Sequence, residues 1–310
     1  MAWSKNKTTV TEFILLGLSN DPQVQIFLFL IFLMIYIITL AGNIMIMLVI
    51  RVDPHFHTPM YFFLFHLSFV DIGYSSITIP KMLQNLLAEQ KTISLSGCIA
   101  QSFFFLWSGG TEVFILSAMA YDRYTAICTP LHYVETMKRQ VCIQLLSGSW
   151  VSGFLYAMTN TLSMLNLHFC GPNVIEHFSC DIPPLLAVSC SNTLPNKVVL
   201  LISLMVFGSS SFLLTLISYI HIISTILKIK SAEGRHKAFS TCSSHLIVVG
   251  LFYGTGFFRY MKPTSASSLD LDRIISIQYS ILTPMLNPII YSLKNKEVKA
   301  ALGRIFRKGM

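Results

Sequence analysis

The stretch IFLFLIFLMIYIITLAGNIMIMLVI, residues 26–50, contains no charged side chain. A helix of this length rises about 37 Å, whereas the hydrocarbon core of a bilayer is about 30 Å thick. The apolar residues do not alternate with polar ones, as they would in a membrane β-strand. The stretch therefore predicts a transmembrane helix and places the chain among membrane proteins.

The composition of the whole chain agrees with this interpretation. Of 310 residues, 53% are hydrophobic and only 12% are charged, and the mean hydropathy is +0.63. A soluble domain carries about 25% charged residues. The chain therefore has too little charge for an ordinary cytosolic enzyme, a disordered protein or a compact nucleic-acid-binding domain.

Further hydrophobic runs follow the first one and are separated by short loops. They cover residues 58–83, 98–121, 141–165, 198–227, 238–261 and 273–293. Seven such spans predict an all-α membrane protein, a seven-transmembrane helix bundle over residues 26–293, with tails at 1–25 and 294–310. One domain is expected over 1–310. A transporter built from inverted repeats is disfavoured, because seven spans do not divide into matched halves.

The distribution of Lys and Arg predicts the orientation, because cytoplasmic loops carry an excess of both residues. With the N-terminus extracellular and the C-terminus cytoplasmic, 14 of the 22 Lys and Arg residues lie inside and 8 outside. The net charge of +8 then reflects topology and attraction to the inner leaflet. No cleavable signal peptide is apparent, so the first span would direct insertion. Asn6 begins a glycosylation sequon on the outer tail.

Four cysteines are expected on the oxidising outer side and allow three pairings: Cys98, Cys170, Cys180 and Cys190. A metal site at His177 and Cys180 is disfavoured, because a disulfide sulfur is a poor metal ligand. The chain contains no nucleophile elbow, phosphate-binding loop or HExxH zinc motif. No enzymatic activity is therefore predicted.

Short motifs follow one another along the spans. They are GN at 42–43, FHTPMY at 56–61, LSFVD at 67–71, PKML at 80–83, MAYDRYTAIC at 119–128, SY at 218–219, KAFSTCSSH at 237–245 and PMLNPIIYSLKNKEV at 284–298. In this order the chain resembles the olfactory receptors of the rhodopsin-like G-protein-coupled receptor superfamily over nearly its whole length. It departs from the family at Phe56 and Thr125, where Leu and Val are usual.

The resemblance implies an odorant receptor in the plasma membrane of olfactory cilia that activates a stimulatory heterotrimeric G protein and raises cyclic AMP. No cofactor is implied. The residues disfavour other ligands of the same fold: residues 273–293 contain no Lys for retinal, and residues 98–111 contain no acid for an amine. A receptor for another small ligand is the alternative, and a transporter is a remote one.

The resemblance also implies an activation switch at the inner ends of the spans. Asp122 would hold Arg123, next to Tyr124, until movement of span 6 frees Arg123 for a cytoplasmic partner. Tyr219 and Tyr291 would then stabilise the released Arg123. Pro288, after Asn287, removes one backbone hydrogen bond and allows a kink in span 7.

Two acidic residues lie deep within the spans. Asp71 and Glu112 are placed at similar depth by helical rise, so their carboxylates could share a cavity with Asn43 and Asn287. Two ionised carboxylates would repel each other. A bound sodium ion between them is the favoured interpretation, and a structural polar network with one neutral acid is the alternative.

Helical spacing places five residues of span 3 on one face, and the resemblance implies that the ligand pocket lies on that face: Phe105, Leu106, Gly109, Gly110 and Val113. The resemblance adds Ser203, Phe207, Tyr253, Gly256, Tyr260, Ile277 and Ser280 from spans 5 to 7. This uncharged set predicts small, neutral, hydrophobic ligands. The resemblance further implies the disulfides Cys98–Cys180 and Cys170–Cys190.

Overall fold

The computed structural model of the chain describes residues 10–170, 173–260, 268–293, 298, 300, 301 and 303. Asn6 and the tail from 304 onward lie outside these residues. The described part forms seven long helices: α1 Pro22–Val52, α2 Pro59–Leu87, α3 Leu95–Cys128, α4 Arg139–Met164, α5 Leu194–Lys228, α6 Ala232–Tyr260 and α7, built from Ser268–Ile277, Gln278–Leu282 and Thr283–Leu293. Each corresponds to one of the seven spans expected from the sequence, and the seven-helix membrane fold is confirmed.

Local signals in the sequence explain where these helices begin. The Asp21 carboxylate accepts the backbone N–H groups of Gln23 and Val24 at the start of α1. Pro22 and Pro59 occupy the first helical position, where a missing N–H costs nothing. At α3, the Ser94 hydroxyl accepts the N–H of Gly97. Capping side chains and prolines thus determine where these three helices begin, in addition to the hydrophobic runs.

Helices α5 and α7 are not regular throughout. A π-helical turn covers Leu204–Gly208 in α5, and a second one covers Gln278–Leu282 in α7. A π-turn adds a residue to one helical turn, so the residues on either side of it change face. Both turns lie in the outer half of the bundle.

The packing divides each helix between the core and the lipid. Helix α3 lies at the centre and contacts α2, α4, α5 and α6, whereas α1 and α5 expose long apolar faces. Helices α1 to α5 are long and apolar enough to cross a membrane by composition alone. Helix α6 begins with the charged residues Glu233, Arg235 and Lys237, and the π-turn interrupts α7. Hydrophobic length therefore marks these last two helices less clearly.

A small sheet covers the outer end of the bundle, which the sequence analysis did not predict. Its strands are β1 Glu12–Leu15, β2 Thr92–Ser94 and β3 Val174–Ile175, in the order β2-β1-β3. Strand β1 pairs antiparallel with β2 and parallel with β3. Each strand is too short to show alternation in sequence. The sheet depends on distant segments that the helix bundle brings together.

Candidate functional site

A cavity of about 430 Å³ lies in the outer half of the bundle. Helices α3, α5 and α6 form most of its wall, and α2, α4 and α7 each add an aromatic ring. Eight of the twelve residues that the sequence predicted for the pocket line it: Phe105, Leu106, Gly109, Gly110, Val113, Phe207, Tyr253 and Gly256. The structure thus brings the predicted face of span 3 together with residues of spans 5 and 6.

Three predicted residues lie elsewhere. Ser203 donates to the Leu200 carbonyl and accepts the amide of Asn160 on α4. Ser280 donates to the Ser276 carbonyl, and Ile277 packs against an apolar cluster beside α1. None of the three is among the residues that line the cavity.

All three residues lie at or beside the π-turns. Ser203 and Ile277 directly precede the two π-turns, and Ser280 lies within the second one. The resemblance supplied these three positions, and a π-turn changes the face that the residues beside it present. The side chain of Tyr260 lies outside the described residues.

The cavity wall contains aromatic residues that sequence reasoning missed. Tyr74 on α2 stacks on Phe105 with ring centroids 4.8 Å apart, and Tyr279 on α7 contacts Phe105 edge to face at 5.2 Å. Nothing in the spacing of α2 marked Tyr74, because that helix buries a wide face. Tyr279 lies in the second π-turn and was not among the positions that the resemblance supplied. The other missed residues are Phe114, Tyr156, Leu201, Leu204, Met205, Gly208, Ser209, Phe212, Phe252 and Thr255.

The chemistry of the wall is apolar with a few hydroxyl groups. No charged side chain is found among the described residues that line it. The buried hydroxyl of Tyr253 has no hydrogen-bond partner within the described part of the chain. A buried hydroxyl without a partner is costly, so this group is available to a ligand that brings an acceptor.

Two disulfides hold the second outer loop over this half of the bundle. Cys98 is bonded to Cys180 and Cys170 to Cys190, with Cα atoms 5.3 and 5.8 Å apart. These are the two pairings that the resemblance implied. Because Cys180 is bonded to Cys98, it has no free thiol with which to bind a metal.

The deep acidic residues form one polar cluster. The Asn287 amide donates to both oxygens of Asp71, at 3.1 and 3.0 Å, and to Glu112 Oε1 at 3.4 Å. All three side chains are buried. The Asn43 amide donates instead to the carbonyls of Thr39 and Pro284, so it does not bond to the carboxylates. The prediction that Asp71, Glu112 and Asn287 share one site agrees with this geometry.

Several oxygens of the cluster face no donor among the described residues. They are Glu112 Oε2, Asn287 Oδ1 and Asn43 Oδ1. Hard cations prefer carboxylate and carbonyl oxygens. The donor set therefore fits a small cation such as sodium.

The inner end of α3 carries the expected ion pair. Arg123 Nε lies 3.7 Å from Asp122 Oδ2 and also donates to the sulfur of Met60 at 3.3 Å. Tyr133, in the helical turn Tyr133–Thr136, donates its hydroxyl to Asp122 Oδ1 at 2.8 Å. Burial and the neighbouring Asp122 raise the pKa of Tyr133 well above its ordinary value. Tyr133 therefore stays protonated and can keep donating to Asp122. It is a third member of the Asp122–Arg123 cluster, and the sequence did not predict it.

A second contact lies between α5 and α6. The Tyr219 hydroxyl and His245 Nδ1 are 2.6 Å apart, and His245 Nε2 is 3.0 Å from the Leu116 carbonyl on α3. In the sequence, His245 is marked only as the last residue of the motif KAFSTCSSH. The hydroxyl of Tyr291 is buried and has no partner in the described part of the chain. The Tyr219 hydroxyl is thus held by His245.

The remaining switch residues are positioned by packing. The ring of Tyr124 lies 5.7 Å from His221 on α5. Pro288 on α7 lies so close to Gly42 on α1 that an added Cβ there would be 3.1 Å from the proline ring. Gly42 therefore allows α1 and α7 to approach each other at the proline.

Comparisons with known proteins agree with this geometry. A sequence profile of the family described as "Olfactory receptor" matches residues 32–308. The chain is 51% identical to human "Olfactory receptor 5A1" over 99% of this chain and 97% of that protein. It is 49% identical to mouse "Olfactory receptor 5G9" over 98% and 97%. The crystal structure of squid rhodopsin is similar with a TM-score of 0.73 at 14% identity, covering 93% of this chain and 86% of that one.

Proposed function

Because the chain belongs to the olfactory receptor family of G-protein-coupled receptors, we propose that it binds small, neutral, hydrophobic volatiles in the outer cavity. We further propose that it activates a stimulatory heterotrimeric G protein and so raises cyclic AMP. As a family member it is a multi-pass membrane receptor that senses odorants, and it is not an enzyme. The proposal concerns the ligand class, the site, the type of G protein and the location in cilia.

The single observation that supports this function most is the uncharged cavity of about 430 Å³. A carboxylate or an amine buried there would lack a partner of opposite charge among the described lining residues, and burying an unpaired charge is costly. A neutral ligand gains about 25 cal/mol for each Å² of apolar surface that it buries. With Tyr253 as one of few polar anchors, we expect micromolar affinity and a broad set of agonists.

Helix α6 provides a route from the cavity to the inner face. Phe252 and Tyr253 line the cavity, and His245 lies on the same helix about 12 Å below Tyr253 at helical rise. A ligand that displaces Tyr253 would therefore move the His245 contact with Tyr219. Release of Tyr219 allows its hydroxyl to stabilise Arg123, once Arg123 has left Asp122.

The inner surface offers a place for a protein partner. Leu131 is 95% exposed and Val134 is 83% exposed, both in the short loop between α3 and α4. They lie beyond the inner end of α3, next to Tyr133 and the Asp122–Arg123 pair. Exposed apolar residues beside a charged pair are typical of a protein interaction site, which supports coupling to a G protein.

A sodium ion between Asp71 and Glu112 would stabilise the resting arrangement. Its charge would balance the carboxylates, and Asn287 orients both of them. Asn287 lies next to Pro288, where α7 lacks one backbone hydrogen bond. Loss of the ion would therefore change the position of α7 at its weakest point.

The function is tested with a cyclic-AMP reporter and a library of volatiles, in cells that express olfactory trafficking chaperones. Neutral volatiles should raise cyclic AMP only in cells that carry the receptor. No response to any volatile, with the receptor shown at the surface, would contradict the ligand class. A response without cyclic AMP would contradict the type of G protein.

A further inference from the structure

The cavity wall along α5 is also part of the outer surface of the bundle. Leu201 and Met205 line the cavity, yet each is 61% exposed. In a bilayer this exposed surface contacts acyl chains. The cavity therefore borders directly on lipid at these two side chains.

Two glycines keep this side of the cavity wide. Gly208 on α5 and Gly256 on α6 both line it, and a Cβ added to either would meet no described atom within 4 Å. Deeper in the bundle, Phe212 contacts Tyr253 edge to face with ring centroids 5.3 Å apart. That contact joins α5 and α6 below the glycines, so the opening lies in the outer half only.

The second outer loop, in contrast, is packed firmly into the outer end of the bundle. Phe178, Cys180 and Ile182 are buried. The Cys180 N–H donates to Gln101 Oε1 at 2.8 Å, and His177 Nε2 lies 3.1 Å from the Ser276 hydroxyl. A ligand arriving through this loop would have to displace a segment held by a disulfide and by hydrogen bonds to α3 and α7.

We propose that hydrophobic ligands enter and leave the cavity from the bilayer, through a slot between α5 and α6 bordered by Leu201, Met205, Gly208 and Gly256. Hydrophobic molecules concentrate in the acyl phase because burying apolar surface is favourable. The inference rests on the proposed function for the nature of the physiological ligand. The slot itself can be tested without any odorant.

The test measures how fast a reagent reaches a thiol inside the cavity. Val113→Cys places the thiol on the cavity face of α3. Receptor in lipid vesicles is treated with N-phenylmaleimide, which is apolar, or with a trimethylammonium methanethiosulfonate, which is charged. Mass spectrometry of the peptide that contains position 113 gives the labelling rate apart from the native cysteines.

Neighbouring side chains on α5 supply matched controls. Met205→Trp and Leu201→Trp narrow the slot. Val206→Trp and Ile202→Trp add the same bulk at positions that are 57% exposed and are not among the lining residues. Each control therefore differs from its test variant by one position along the same helix.

We expect the two slot variants to slow the reaction of N-phenylmaleimide with the thiol at position 113 by about tenfold. This is the effect of an added barrier of about 1.4 kcal/mol. The two controls should stay within about twofold, and the charged reagent should react slowly in every variant. Equal rates in all four Trp variants would overturn the slot, as would rapid reaction of the charged reagent or no labelling at all without a Trp. If one slot variant fails to fold, the other slot variant and its matched control test the proposal.

These outcomes are separate from those of the volatile screen. If the labelling rates follow the expected order while no volatile raises cyclic AMP, the proposed ligand class fails and the slot stands. If volatiles act but labelling does not depend on Met205 or Leu201, the slot fails and the function stands.

Discussion

The outer and inner halves of the bundle use their interior in opposite ways. The outer half encloses about 430 Å³ of cavity, lined by aromatic rings and glycines. The inner half is packed around Ile115, Leu116 and Met119, which are fully buried, and it contains polar side chains that are paired across helices, such as Tyr219 and His245. A loosely filled apolar space tolerates ligands of different shape, whereas a paired polar network has few alternative arrangements. We therefore expect changes in the outer half to alter selectivity and changes in the inner half to alter signalling for every ligand.

The largest effect is expected at Arg123. Arg123→Ala should abolish the cyclic-AMP response while the receptor still reaches the surface, because the charge that meets the cytoplasmic partner is lost. Arg51→Ala, at the exposed inner end of α1, removes an equal charge away from the switch and should preserve the response. Surface labelling and the cyclic-AMP reporter measure both variants. An unchanged agonist response of Arg123→Ala would refute the switch.

The next effect concerns the covalent support of the outer half. The bridges Cys98–Cys180 and Cys170–Cys190 span 82 and 20 residues, so chain entropy predicts stabilisation of about 4.5 and about 3.3 kcal/mol. Cys98→Ser should therefore lower thermal stability and surface level more than Cys170→Ser. Thermal unfolding of the two purified variants shows which substitution lowers the stability more. A free Cys98 thiol in peptide mapping of the native receptor would contradict the pairing.

Two neighbouring glycines distinguish ligand space from helix packing. A Cβ at Gly109 would lie 3.6 Å or more from the Tyr74 side chain, an ordinary contact, whereas one at Gly110 would lie 3.0 Å from the Gly153 backbone. Gly109→Leu should therefore fill part of the cavity. The concentration of a larger agonist that gives a half-maximal response should rise by more than about tenfold, which corresponds to about 1.4 kcal/mol. Gly109→Ala is the mild control, and Gly110→Ala should lower stability instead. Unaltered potency across a homologous agonist series in Gly109→Leu would place the pocket elsewhere.

A smaller effect is expected for Tyr133→Phe. The change removes the 2.8 Å hydrogen bond to Asp122 and keeps the ring, and a hydrogen bond to a charged group contributes about 1.5–3 kcal/mol. Because this bond holds Asp122 in the resting pair, basal cyclic AMP should rise several-fold without a change in agonist selectivity. Tyr121→Phe is a matched control, since Tyr121 lies on an exposed face of α3. Basal activity that stays at the native level would show that Tyr133 is structural only.

The smallest effect concerns sodium. Replacing sodium with an organic cation at constant ionic strength should raise agonist potency a few-fold, because the ion favours the resting state. Glu112→Gln should remove this dependence while Asn287 still has an acceptor in Asp71. Dose-response curves in the sodium medium and in the organic-cation medium measure this change in potency. If the native receptor and Glu112→Gln depend equally on sodium, the cluster is only a structural polar network.

The sequence predicted those features that depend on local patterns. Hydrophobic length placed the seven helices, and helical rise placed Asp71 and Glu112 at one depth. It could not predict the π-turns, which have no local signature in this chain. Ser203, Ile277 and Ser280, which the resemblance supplied for the pocket, lie at or beside these turns and do not line the cavity. The sheet, the Tyr133 bond and the His245 contact were missed for another reason. They join segments that are distant in sequence, and only tertiary packing brings them together.

The central claim is that a neutral ligand in the outer cavity controls the inner face. It is tested most directly with purified receptor in lipid nanodiscs and a stimulatory G protein, by measuring nucleotide exchange with and without the best volatile from the screen. The account predicts that the volatile accelerates exchange on the native receptor, and that Gly109→Leu keeps basal exchange but loses the acceleration by a large agonist. Full acceleration of Gly109→Leu by every agonist, or a best agonist that carries a charge, would contradict it.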